Sequence, residues 1–200
     1  MKKKIVIIGS TGSIGVKTVN VFKKDKKNFQ IVLLSTNSNL KKVINQAKEL
    51  KVRNIIVNNK KVFNLAKKNK KLKSINFYNT FDEINKIIKT KNIYYSMISV
   101  TGLDGLKPTL LLSKFSKNLA VVNKESLICA WELIEKNLKK YKTNFVPIDS
   151  EHFSIYTLLR NYKLKDIEKI YITASGGPFL NYPKNKFKLI NPKKINIMKK

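Results

Sequence analysis

Apolar and polar positions along the chain fall into two alternating rhythms. Short apolar, largely β-branched or aromatic runs at residues 4–8, 29–34, 54–57, 75–78, 94–100, 119–122, 144–148 and 169–173 predict strands. Between several of these runs apolar residues return at the helical period. Ile14, Thr18, Val21 and Phe22 predict the inward face of a helix over 14–22, and Leu40, Val43, Ile44, Ala47 and Leu50 predict a second helix. Residues 60–73 are lysine-rich but retain Val62, Phe63, Leu65 and Ala66, which predicts a solvated helix with one apolar side. Strands alternating with helices imply βαβ units joined by right-handed crossovers: an α/β fold with a doubly wound, mostly parallel sheet. From residue 183 the periodicity fades around Pro183 and Pro192, so the end reads as a chain stopped partway into a domain or as a frayed terminus.

Composition narrows the class. At 200 residues and 42% hydrophobic, the chain has room for a real core. No apolar run approaches the ~18 residues of a membrane span. The opening Met1-Lys2-Lys3-Lys4 is followed by only four apolar residues before glycines and hydroxyls intervene, so no secretory signal is expected. A single cysteine, Cys129, forms no internal disulfide and fits a reducing cytoplasm. Cys129 and Trp131 are expected to pack in the core. The net charge of +30 invites a nucleic-acid reading, yet only Arg53 and Arg160 among the 42 basic residues are arginine. Bidentate phosphate and base recognition favours arginine. Dispersed lysine, with asparagine and isoleucine also abundant, points to a genome rich in A and T, and no nucleic-acid partner is expected.

The loop Gly9-Ser10-Thr11-Gly12-Ser13-Ile14-Gly15 follows the first predicted strand and opens the first predicted helix. Glycines there permit a tight turn and close approach of backbone N–H groups to a pyrophosphate, and the helix N-terminus adds its positive end. The spacing is G-x-x-G-x-x-G, but the strand–loop–helix context is the one a dinucleotide needs. After the second strand, residues 34–42 contain hydroxyls, amides, Lys41 and Lys42 but no acid. A carboxylate at that position would hold the ribose 2′-hydroxyl of NAD and repel a 2′-phosphate, so NADPH is expected as cofactor. The fold is accordingly expected to be Rossmann-like.

Three further polar loops each follow a predicted strand: Asn123-Lys124-Glu125-Ser126, Asp149-Ser150-Glu151-His152 and Ser175-Gly176-Gly177-Pro178. Ligands of open parallel sheets bind beyond the carboxyl ends of the strands, so all four loops are expected to face one crevice. Asp149 and Glu151 offer hard oxygen ligands to Mg²⁺ or Mn²⁺, although an acidic helix N-terminus would carry the same residues. Lys124 is placed to meet a substrate oxygen or phosphate, and Ser150 and Ser175 to donate hydroxyls to a phosphorylated substrate. Ser175-Gly176-Gly177 suits an anion-binding nest or a plain turn. His152 is expected to support the site from behind or to hydrogen-bond at a helix start rather than to belong to the site.

These four motifs, taken in order across the chain, resemble 1-deoxy-D-xylulose-5-phosphate reductoisomerases. The resemblance rests on residues 9–15, Asn123 to Ser126, Pro147 to His152 and Ser175 to Phe179. It implies a metal- and NADPH-dependent enzyme of the non-mevalonate isoprenoid pathway. Family members rearrange 1-deoxy-D-xylulose 5-phosphate to an aldehyde and reduce it to 2-C-methyl-D-erythritol 4-phosphate. By resemblance, Thr11, Gly12, Ser13 and Ile14 hold NADPH, assisted by Asn39, Asn123 and Glu125. Lys124, Ser150, Glu151 and Ser175 contact substrate, and Asp149 and Glu151 bind Mg²⁺ or Mn²⁺. It further implies a cytoplasmic homodimer, an NADP-binding domain over 1–148, and the beginning of an α+β catalytic domain over 149–200, truncated and inactive alone. The family often has a glycine and a basic residue where this chain has Asn37 and Ser38, which leaves the 2′-phosphate to Lys41 or Lys42. The alternative is an NADP-dependent oxidoreductase of the semialdehyde or homoserine dehydrogenase type, which would leave Asp149 and Glu151 unexplained.

Overall fold

The computed structural model describes residues 1–172 and 183–189, in two compact units, Met1–Phe153 and Ser154–Lys200. The first is built on seven strands: β1 (Lys3–Ile8), β2 (Phe29–Thr36), β3 (Asn54–Val57), β4 (Asn76–Tyr78), β5 (Ile93–Ile98), β6 (Ser116–Val121) and β7 (Asn144–Pro147). All six pairings are parallel, in the order β4-β3-β2-β1-β5-β6-β7. The connecting helices are α1 (Ser13–Lys24), α2 (Leu40–Leu50), α3 (Lys60–Lys68), α4 (Ile84–Ile87), α5 (Leu106–Ser113) and α6 (Lys124–Tyr141). Strand order reverses between β1 and β5, the topological switch point where open α/β sheets bind ligands. This is the doubly wound, Rossmann-like architecture that the alternating rhythm predicts.

The strands carry apolar residues on both faces, above all in β1, β2 and β3, because both sheet faces are covered. Ile5 and Ile7 enter one core with Val19 of α1 and Val43 and Ala47 of α2. Val6 and Ile8, pointing the other way, enter a second core with Ile84 of α4, Leu112 of α5 and Ile134 and Leu138 of α6. All four central β1 residues are fully buried. Asn39 and Asn59 start α2 and α3, their side chains accepting from Lys42 and Val62 N–H. α2 ends on Lys51 in the left-handed conformation, φ 56°.

Three expectations are corrected. Val21 is exposed, and α1 turns Gly15, Thr18, Val19 and Phe22 inward, the true i, i+3, i+4, i+7 set once the helix starts at Ser13. Cys129 and Trp131 are exposed rather than core. Ala130 leaves helical geometry (φ −143°, ψ 29°), so the face carrying Ile134 and Leu138 does not run back through them, and the Trp131 ring packs edge-on against Phe145 at 5.3 Å. Residues 169–172 form no strand: Lys169, Ile170, Tyr171 and Ile172 are exposed and have no ladder partner among the described residues. Thr173 lies outside the described residues. The last helix, α7 (Ser150–Leu159), passes from the first unit into the second. Beyond it the second unit's described residues form short 3-10 turns at Leu164–Asp166 and Lys184–Leu189.

Candidate functional site

The chain leaves β1 at Gly9, whose φ of +83° only glycine adopts freely, and enters α1 at Gly12. A Cβ on Gly9 would meet the Ser99 carbonyl oxygen at 2.8 Å, and one on Gly15 would meet the Gly9 carbonyl oxygen at 2.1 Å. The two glycines thus let loop, helix and β5 close together. No side chain caps α1 and no acid occupies its first turn, so its leading N–H groups and its dipole remain available to an anion.

Three neighbours fix this loop. Ser35, near the end of β2, accepts from Gly9 N–H through its hydroxyl (2.8 Å) and from Ser10 N–H through its carbonyl (2.8 Å). Ser99, just after β5, lies with its hydroxyl 2.8 Å from the Ile8 carbonyl and 3.2 Å from that of Gly9. From α2, Gln46 reaches Ser10 and Lys42 donates to the Thr11 carbonyl at 3.2 Å. The Thr11 and Thr36 hydroxyls pair at 2.8 Å. Asn37, Ser38 and Asn39 are exposed beyond β2, and the Asn39 side chain is engaged as the α2 cap.

Gly12, Ser13 and Ile14 line one side of a cavity of about 330 Å³ whose other walls are Ser99 to Thr101 and Val122 to Glu125. Asn123 organises it. Its Oδ1 accepts from Ser126 N–H at 2.6 Å, capping α6, and its Nδ2 donates to the Val100 carbonyl at 2.7 Å and to that of Gly102. The buried Asn123 side chain is thereby committed to tying the ends of β5 and β6 together, while Lys124 and Glu125 stand exposed at the mouth.

At the end of β7, Asp149 has a side chain only 13% exposed, with its Oδ1 2.6 Å from His152 Nδ1 and 3.1 Å from His152 N–H. Burial pushes its carboxyl up, but the hydrogen bonds from His152, with the charges of His152 and Lys124, outweigh that and hold it below the ordinary carboxylate value. Glu151, exposed in the first turn of α7, accepts from the Ser150 hydroxyl at 3.0 Å. An ionised Asp149 and an accessible Glu151 suit a hard divalent cation as two of its oxygen ligands. No group of three or more His, Cys, Asp and Glu that could hold a metal ion occurs among the described residues. Ser175 and the rest of its loop lie outside the described residues.

The predicted loops after β1, β6 and β7 therefore emerge at the same end of one parallel sheet, Gly12 to Ile14 with Lys124 and Glu125 around one cavity. Sequence reasoning missed Ser35, Gln46 and Ser99 to Thr101, whereas His152 bonds to Asp149 at the start of α7, in the supporting role expected of it. For the loop after β5, Gly102 following an apolar strand was an available signal.

The chain was compared with known proteins. Residues 5–131 match the family model described as 1-deoxy-D-xylulose 5-phosphate reductoisomerase, and residues 145–197 match that of the C-terminal domain of the same enzyme. The relative of that name from Pelagibacter ubique is 54% identical over 192 residues, covering 96% of this chain and 50% of the relative. The one from Clostridium acetobutylicum is 39% identical over 180 residues, covering 88% and 46%. The chain thus spans about half the length of the curated relatives it matches. Among solved structures, the Zymomonas mobilis reductoisomerase in complex with NADPH superposes with a TM-score of 0.83 at 26% identity, over 97% of this chain and 51% of that one. A reductoisomerase in complex with NADPH, fosmidomycin and magnesium gives 0.77 at 26%, over 96% and 50%. These matches disfavour the semialdehyde or homoserine dehydrogenase alternative, and the chain belongs to the 1-deoxy-D-xylulose 5-phosphate reductoisomerase family.

Proposed function

We propose that this chain forms the NADPH-binding part, and the first metal-binding residues, of an enzyme converting 1-deoxy-D-xylulose 5-phosphate to 2-C-methyl-D-erythritol 4-phosphate. The observation that carries this reading is the uncapped α1 N-terminus opening into the same cavity as Lys124 and Glu125, in a chain of this family. Thr11, Gly12, Ser13 and Ile14 hold the pyrophosphate, with Thr11, Ser13 and Ile14 presenting backbone N–H groups while the Gly12 N–H donates to the Gly9 carbonyl and shapes the turn. Asn39 and Glu125 flank the cofactor from either end of the crevice, and Asn123 assists by tying the ends of β5 and β6 together beside it. Lys42 supplies the charge for the 2′-phosphate, because its ammonium already lies over the loop at the Thr11 carbonyl. Lys124, Ser150, Glu151 and Ser175 hold the phosphorylated sugar, and Asp149 and Glu151 bind Mg²⁺ or Mn²⁺, with His152 orienting the Asp149 carboxylate. When bound, NADPH supplies hydride and the cation polarises neighbouring substrate oxygens. NADP-binding and catalytic parts divide at 148/149 in this reading, and the working enzyme is a cytoplasmic homodimer without nucleic-acid or membrane partners. Among the described residues no helix is long and apolar enough to cross a membrane.

The test is fluorescence titration of the 200-residue chain with NADPH and NADH. NADPH is expected to bind weakly but about tenfold tighter than NADH, and Lys42→Ala to remove most of that preference. Tighter NADH binding overturns the cofactor assignment. Mixed with the deoxyxylulose phosphate and Mn²⁺, the chain alone is expected to oxidise no NADPH; metal-dependent oxidation would contradict that.

A further inference from the structure

We infer that Gln46 is a positioning residue of the phosphate loop, setting the direction of the Thr11 N–H that meets the cofactor pyrophosphate. The inference rests on the NADPH reading above and adds a residue to it.

Gln46 lies in the middle of α2, half-buried, 36 residues from the loop it grips. Its Nε2 donates to the Ser10 carbonyl at 2.9 Å, and its Oε1 lies 2.8 Å from the Ser10 hydroxyl. A single planar amide therefore holds both the backbone and the side chain of one fully buried loop residue. In a trans peptide the carbonyl and the following N–H point in opposite directions. Fixing the Ser10 carbonyl toward α2 turns the Thr11 N–H away from α2, and that N–H has no backbone acceptor among the described residues. Lys42, one turn earlier on the same helix face, takes the Thr11 carbonyl and adds a second hold on the next peptide plane. The loop's flexible glycines, Gly9 and Gly12, flank this pair of planes, so the backbone could otherwise rotate there. α2 has no fold-level need for a polar residue at this position: Val43 and Ala47 provide its core contacts.

The experiment uses Gln46→Met, which keeps side-chain length and loses both bonds. Gln46→Glu, which still accepts from the Ser10 hydroxyl but cannot donate to the carbonyl, is the second variant should the first fail to fold. NADPH affinity is expected to fall about tenfold, the loss of one to two hydrogen bonds, while 2′-AMP, which has no pyrophosphate, changes less than about twofold. Amide exchange at residues 10–14 is expected to accelerate without change in β1 or β5. Unchanged NADPH affinity overturns the inference, and so does an equal loss for NADPH and 2′-AMP, which would mean that α2 has shifted as a whole. If the unmutated chain binds no NADPH, the cofactor reading falls by itself. Loop exchange then decides the clamp: faster exchange in the variant supports it, equal exchange overturns it.

Discussion

Gly12 and Gly15 stand three residues apart, at the cap and in the first turn of α1, and have opposite tolerances. A methyl on Gly12 would lie 3.6 Å from the Gly9 carbonyl, an ordinary contact, whereas one on Gly15 would lie at 2.1 Å from the same atom. Gly12→Ala is therefore expected to leave thermal stability within about 0.5 kcal/mol and to weaken NADPH binding, since the new methyl faces the anion's approach. Gly15→Ala is expected to cost about 1–3 kcal/mol by forcing loop and helix apart. Melting curves of the two variants with and without NADPH check this, and a Gly15 variant as stable as the parent would contradict it. Residues of this kind were legible in the sequence because glycine, lysine and acid stood out against apolar strands. Gln46 and Ser35 were not. Their partners lie 25 to 36 residues away, and a glutamine inside an amphipathic helix reads as one more solvated position until the fold brings Ser10 to it. His152, read from the sequence as a supporting or helix-start residue, does bond at the start of α7, to the Asp149 carboxylate three residues before it.

Elements were legible where periodicity was long and less so where a helix is broken. The strands through β7 were placed within a few residues because both faces of the sheet are covered, which leaves each strand a nearly continuous apolar run. Residues 169–172 carry a similar run without the neighbour that would make it a strand, and no sequence window contains that neighbour. α6 misled for a different reason: the departure at Ala130 is a backbone event inside a good helical pattern. Helix ends also record local strain. Lys51 closes α2 at φ 56°, a conformation that costs a residue with a Cβ more than glycine. Lys51→Gly is expected to stabilise the chain by roughly 0.5–1 kcal/mol, after the glycine's greater unfolded-state entropy is counted. Chemical denaturation with an unchanged slope and a higher midpoint would bear this out.

The molecule as a whole carries +30, and its described lysine–carboxylate pairs lie at the surface. Such a charge does little for the fold and much for encounter with anions. The association rate of NADPH is expected to fall several-fold between about 20 and 200 mM salt while its dissociation rate changes little. Stopped-flow measurement separates the two, and a salt effect confined to dissociation would place the charge in the bound contact instead.

The position of β1 has a consequence for the order of synthesis. It lies at the centre of the sheet, yet one of its two neighbours, β5, begins some ninety residues later at Ile93. A ribosome that has made β1 through β4 has produced half a sheet whose innermost strand, Ile5 to Ile8, still has one bare edge and no helix over one side. The segment buried most completely in the finished protein thus waits some ninety residues for its second neighbour as the chain emerges, and during that interval it depends on helpers or on speed.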